Sequence, residues 1–142
     1  MSADAAREFV DANVLVYAFD PSAESKQIIA SQLLERLSKN GNGCLSVQIL
    51  QEFFVTITRK VSIPLAIDQA SDYVRDFSTW KVFAPTAQDV STAIAIHKQA
   101  KISFWDAMVV HAASELGCDL LWSEDLTTDQ ILRKVRVCNP FL

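Results

Sequence analysis

Short apolar runs alternate along this chain with longer stretches in which apolar residues return every three or four positions. Glu8 to Asp11 reads as a first strand, Gly43 to Ser46 as a second and Lys81-Val82-Phe83 as a third. Asp119 to Trp122 reads as a fourth strand and Val135-Arg136-Val137-Cys138 as a fifth. The stretches between them read as helices. Asp20-Pro21 is a start signal, an N-cap acid followed by proline at the first position. Ile28, Ile29, Leu33, Leu34 and Leu37 then recur at helical spacing until Asn40-Gly41 stops the run. Val47 to Lys60 carries Leu50, Phe53, Phe54 and Ile57 on one side, and Pro64 separates it from a helix through Ile67, Ala70, Tyr73, Val74 and Phe77. Thr86 with Asp89 forms an N-cap pattern ahead of a helix bearing Ile94 and Ile96. Ser103 to Leu116 is a further helix, closed by Gly117. Strands alternating with helices imply an α/β fold, a parallel sheet covered on both faces. Such sheets bind ligands outside the carboxyl ends of their strands.

A length of 142 residues suits one domain spanning the chain and allows a sizeable core. Half of the residues are hydrophobic, a rich content that points to apolar surface covered by a partner. No apolar stretch reaches membrane-spanning length without a charge. The start, Met1 to Glu8, lacks a basic segment followed by an apolar one, so a cytoplasmic protein is expected. Cys44, Cys118 and Cys138 are an odd, widely spaced set with no Cys-x-x-Cys, which favours reduced buried thiols over a zinc site. The net charge of -4 weighs against nonspecific nucleic-acid binding. That objection weakens if several acids belong to a cation site.

Four acids stand where the chain turns from apolar to polar: Asp11, Glu52, Asp106 and Asp125. Each has a simple local reading. Asp11 and Asn13 suit a turn after the first strand. Glu52 suits the first half of a helix. Asp106 follows Ser103 by three residues, as in a capping box. Asp125 could cap the segment that begins at Leu126. Taken jointly, the topology aims Asp11 and Asp125 at one sheet edge and sets Glu52 and Asp106 on helices near it. No run of Lys or Arg is spaced to pair with all four, whereas a bound divalent cation would be. Carboxylates without Cys or His suit Mg²⁺ or Mn²⁺. Without a cation, close carboxylates repel and at least one pKa rises.

These segments resemble the PIN-domain family, and within it the VapC-type toxins of bacterial toxin–antitoxin pairs. The matching stretches are Phe9 to Ala18, Ser46 to Phe53, Ile102 to Ala107 and Leu121 to Leu126, with a familiar ending at Val135 to Phe141. The resemblance runs in order through nearly the whole chain. It implies a three-layer α/β sandwich around a parallel sheet of about five strands. It implies a Mg²⁺- or Mn²⁺-dependent endoribonuclease, an RNA substrate, a cognate antitoxin and a homodimer. Asp11, Glu52, Asp106 and Asp125 match the family's acidic quartet, and Asn13 and Ser123 match its supporting polar positions. Glu124 is a weaker match. After Asp125 the chain departs from the glycine-containing loop of similar toxins and reads Leu126-Thr127-Thr128-Asp129-Gln130. Asp129 is read as a surface charge.

His97 and His111 are read as structural or surface residues, because no nucleophile elbow accompanies them. Trp105 could stack on a base, but core packing is the preferred reading. Arg59, Lys60, Lys98, Lys101, Arg133, Lys134 and Arg136 are scattered cations that could hold phosphates. Two rival classes remain beside the ribonuclease. One is a phosphoryl-handling α/β domain, for which Asp11-Ala12-Asn13 lacks the second acid of an Asp-x-Asp pair. The other is a catalytically silent PIN-like RNA-binding protein, which has no need of four converging acids.

Overall fold

The computed structural model describes residues 6–142; the first five, part of the start read above as lacking a secretory leader, lie outside them. Among the described residues, six strands form one sheet in the order β3-β2-β1-β4-β6-β5. They are β1 Glu8–Val10, β2 Gly43–Ser46, β3 Lys81–Phe83, β4 Leu120–Trp122, β5 Ile131–Leu132 and β6 Val135–Cys138. The first five in spatial order are parallel. The sixth, β5, pairs antiparallel with β6 and extends the expected five-strand sheet by two residues. Its turn places Arg133 and Lys134 at φ values of 50° and 69°, a conformation that Gly or Asn normally signals.

Helices flank the sheet: α1 Ala12–Ala18, α2 Ser25–Asn40, α3 Val47–Arg59, α4 Ile67–Phe77, α5 Ala87–Ala100 and α6 Phe104–Glu115. Five match the expected helices, with one change of boundary. Asp20-Pro21 opens a separate 3-10 turn, Pro21–Ala23, in which Asp20 accepts from the Ser22 N–H. Glu24 then adopts φ 56° and α2 restarts at Ser25. The sixth, α1, was not expected. Its sequence is apolar almost throughout and five of its seven residues are buried, so it carries no one-sided periodicity to mark it as a helix.

The core is continuous from the sheet into the helices. Phe9, Val10, Leu45, Leu121 and Val137 of the strands are fully buried. Beyond α1, Phe19 meets Phe53 of α3 at 5.6 Å and Tyr73 of α4 at 4.2 Å, and Phe77 continues to Trp80 at 5.4 Å. Offset and edge-on aromatic contacts of this kind add to area burial. A smaller cluster of Ala93, Ile96, Ala107 and Met108 joins α5 to α6.

Sheet order explains where a site can form. The chain runs β1, β2, β3 in one direction, then returns to the other side of β1 for β4 and β6. The segments leaving β1 and β4 therefore part at adjacent carboxyl ends, where Val10 lies beside Trp122.

At the other end of the sheet, a Cβ on Gly43 would fall 2.4 Å from the Trp80 ring. Gly43→Ala is expected to destabilise the fold by about 1–3 kcal/mol. In urea unfolding, the cost should shrink when Trp80→Leu removes the ring; an equal cost in both backgrounds would disprove the steric reading.

Candidate functional site

Asp11, Glu52, Asp106 and Asp125 line one cleft of about 480 Å³, together with Asn13 and Gln48. Each acid arrives there by a local cause. Asp11 follows β1 and is the N-cap of α1; one carboxylate oxygen accepts from the Ala12 N–H at 2.8 Å. The other oxygen accepts from the Ser123 hydroxyl at 2.8 Å, so the ends of β1 and β4 are tied through a buried pair. On α3, Ile49, Phe53 and Ile57 occupy successive turns of the buried face. That phase turns Gln48 and Glu52, themselves one turn apart, towards the cleft, where the Gln48 amide donates to Glu52 at 3.3 Å. Ser103 caps α6 by accepting from the Asp106 N–H at 3.0 Å, which fixes Asp106 in the first turn. The capping reading of Asp106 is thus correct for its backbone, and its carboxylate faces the cleft. Asp125 lies in the loop after β4, where Asn13 donates to its carboxylate at 3.1 Å. Asn13 also accepts from the Glu124 N–H at 3.3 Å and so spans the two strand ends.

Charge in the cleft is unbalanced. Burial raises the Asp11 pKa from 3.8 to about 7, with Glu52 and Asp106 adding repulsion and the Ser123 and Ala12 bonds opposing. Glu52 is also raised, first by burial and then by Asp106 and Asp125. Lys60 is the one cation along the cleft among the described residues. Among those residues, no donor reaches the Asp106 carboxylate. Four oxygen-donor acids facing one cleft, with proton affinity raised at Asp11 and Glu52 and no ion pair to any of the four among the described residues, fit a hard divalent cation such as Mg²⁺ or Mn²⁺.

The remaining candidates lie elsewhere. Glu124 turns away from the cleft and accepts from the Tyr17 hydroxyl at 2.6 Å and from Lys26. Asp129 is exposed and pairs with Arg136 at 2.8 Å. His97 bonds to the Ile102 carbonyl. His111 is buried, with Nε2 2.8 Å from Asp89. Asp89 in turn closes the capping box of α5 by accepting from the Thr86 N–H at 2.7 Å. With Glu115, these two form a compact donor set whose ligand atoms lie within 4.8 Å of one another. It ties α5 to α6 outside the cleft, and its 22-residue separation hid it from sequence reading. Gln48 was missed for want of any motif. Trp105 corrects the sequence reading outright: it does not pack in the core but stands 61% exposed along the cleft.

A PIN domain family model matches residues 9–134, and the chain belongs to the PIN-domain family. Two solved structures share its α/β fold. One is Mycobacterium tuberculosis VapC20, a sarcin–ricin loop cleaving toxin, 17% identical over 83% of this chain and 89% of that one, with a TM-score of 0.65. The other belongs to a toxin–antitoxin complex from Klebsiella pneumoniae, 19% identical over 94% of this chain and 97% of that one, with a TM-score of 0.68. No curated protein matches significantly.

The raised Asp11 pKa predicts how the cation-free protein responds to pH. Between about 4 and 7 the folded state keeps a proton that the unfolded state has released. Stability should therefore fall as pH rises through this window, by at most about 1.4 kcal/mol per unit. Urea unfolding in EDTA should show this slope in the wild type and a flatter one in Asp11→Asn. Parallel curves for the two would refute it.

Proposed function

We propose that the chain is a single nuclease domain over residues 1–142, a Mg²⁺- or Mn²⁺-dependent endoribonuclease and the toxin of a toxin–antitoxin pair. One observation carries the reading: acids from four separate elements line one cleft, and the most buried of them has no cationic partner there. Membership of the PIN family and the likeness to VapC20 support it.

In this reading Asp11, Glu52, Asp106 and Asp125 hold the cation. When bound, it would supply the positive charge that activates water and stabilises the leaving oxygen of an RNA phosphodiester. Ser123 keeps Asp11 oriented through its hydroxyl, and Asn13 does the same for Asp125. Gln48 fixes the rotamer of Glu52. Neither histidine lines the cleft, so proton removal falls to the carboxylates. In-line water attack leaves a 5′-phosphate and a 3′-hydroxyl.

Labelled RNA is the test. Cleavage should need Mg²⁺ or Mn²⁺, stop in EDTA and fall by at least about 100-fold in Asp11→Asn or Asp106→Asn. Calorimetric Mn²⁺ affinity should fall in the same variants. His97→Ala and the folded fraction of His111→Ala should keep most activity. Cleavage in EDTA, or products ending in a 2′,3′-cyclic phosphate, would overturn the mechanism.

We also propose a homodimer and an antitoxin partner in the cytoplasm. The Klebsiella complex supports the second. Exposed Val90 and Ile94, one turn apart on α5, and exposed Ile63 and Ile67 leave apolar surface for contacts of this kind. No described helix is long and apolar enough to cross a membrane. Sedimentation should give a dimer at micromolar concentration; a monomer throughout would remove that part.

A further inference from the structure

Trp105 is the feature that the acidic site leaves unexplained. Ala107 and Val109 of the same helix are buried, yet Trp105 is 61% exposed at the N-terminus of α6. It is held in place all the same. The ring meets Phe104 edge-on at 5.1 Å, and the Trp105 backbone carbonyl accepts from the Gln48 amide at 3.3 Å, which ties this turn of α6 to α3. Along the same cleft lie Val55 and Thr56 of α3 and Lys60, the residue that caps its C-terminus. Lys60 lies eight residues beyond Glu52, about 12 Å along the helix axis. Among the described residues it forms no ion pair with any of the four acids.

We propose that Trp105 and Lys60 form a subsite for unpaired RNA beside the acidic cleft, Trp105 stacking on a base and Lys60 holding a phosphate of the same strand. The proposal rests on the ribonuclease reading and names the form of substrate it takes. A chain of net charge -4 with an acidic cleft gains little from general attraction to RNA. Stacking on an aromatic face does not depend on charge or on base identity. It does require a base out of its duplex, so the subsite selects loops and single strands. A rigid indole next to Asp106 would set the distance between the stacked base and the acids.

The test is binding of a fluorescent single-stranded RNA hexamer and of the same sequence in a duplex, with Ca²⁺ in place of Mg²⁺. Trp105→Ala should weaken hexamer binding about 5- to 150-fold and change duplex binding less than about twofold, while Trp105→Phe stays within a few-fold of wild type. Lys60→Ala should lower the slope of log affinity against log salt by about 0.7. Melting temperatures identify variants that have lost the fold. Four results overturn the subsite: no hexamer binding by the wild type, unchanged hexamer binding by folded Trp105→Ala, equal losses for hexamer and duplex, or loss of the dimer in Trp105→Ala with hexamer binding intact. The last assigns the ring to a protein interface. Hexamer binding that depends on Trp105 without metal-dependent cleavage sustains the subsite and refutes the nuclease; cleavage with unchanged binding in Trp105→Ala does the reverse.

Discussion

A carboxylate withdrawn from water without a cation beside it is the constraint around which the cleft is arranged. Asp11 is 6% exposed, and among the described residues its only side-chain pairings are the Ala12 N–H and the Ser123 hydroxyl. Those bonds orient it but do not offset the loss of hydration. Glu8, three residues earlier at the start of β1, shows what offsetting looks like. It is equally buried, yet Arg36 reaches both its oxygens, at 3.1 and 2.8 Å, and the Trp122 indole donates at 2.8 Å. Burial pushes the Glu8 pKa up, and Arg36 and Trp122 bring it below its ordinary value. One strand therefore starts on a satisfied acid and is followed at its carboxyl end by an unsatisfied one. The first holds the fold together; the second leaves an electrostatic demand that a ligand can meet.

The surrounding elements keep that demand in place rather than relieve it. The buried face of α3 fixes the direction of Glu52, and the Ser103 cap fixes the first turn of α6. The burial of Phe53 and the position of Glu52 are one geometric fact, since adjacent helical residues diverge by about 100°. Repacking the aromatic cluster around Phe53 would rotate Glu52 without touching the cleft directly. Stability and site geometry are coupled through that helix.

Much of this was legible in the sequence because the four acids sit at boundaries that physical patterns mark well. Five strands and five helices announced themselves through period, cap and stop signals. The misses share a cause: tertiary context supplied what local pattern lacked. Helix α1 is buried on nearly every side, so its Val14-Leu15-Val16 run shows no helical stripe. The β5–β6 turn places Arg133 and Lys134 at positive φ where Gly or Asn would have given notice. Sequence alone points Trp105 to the core, where large aromatics usually belong. Only the orientation of α6 shows it in solvent. His111 and Asp89 meet because α5 packs on α6, a pairing no spacing rule anticipates.

The loop after β4 shows why neighbouring acids have opposite fates. Glu124 and Asp125 are adjacent, and from sequence either could serve the cleft. Tyr17 and Lys26 take the Glu124 carboxylate, and Lys26 lies over the Tyr17 and Phe141 rings at 4.9 and 5.5 Å. Burial raises the Glu124 pKa, but Lys26 and Tyr17 more than reverse this and leave it lowered. The half-exposed ion pair contributes little stability by itself. Its consequence is directional: with Glu124 drawn towards α1 and α2, Asn13 holds Asp125 on the cleft side. Charge is thus sorted residue by residue along this loop, neutralised where it anchors the chain and left unpaired where the cleft needs it.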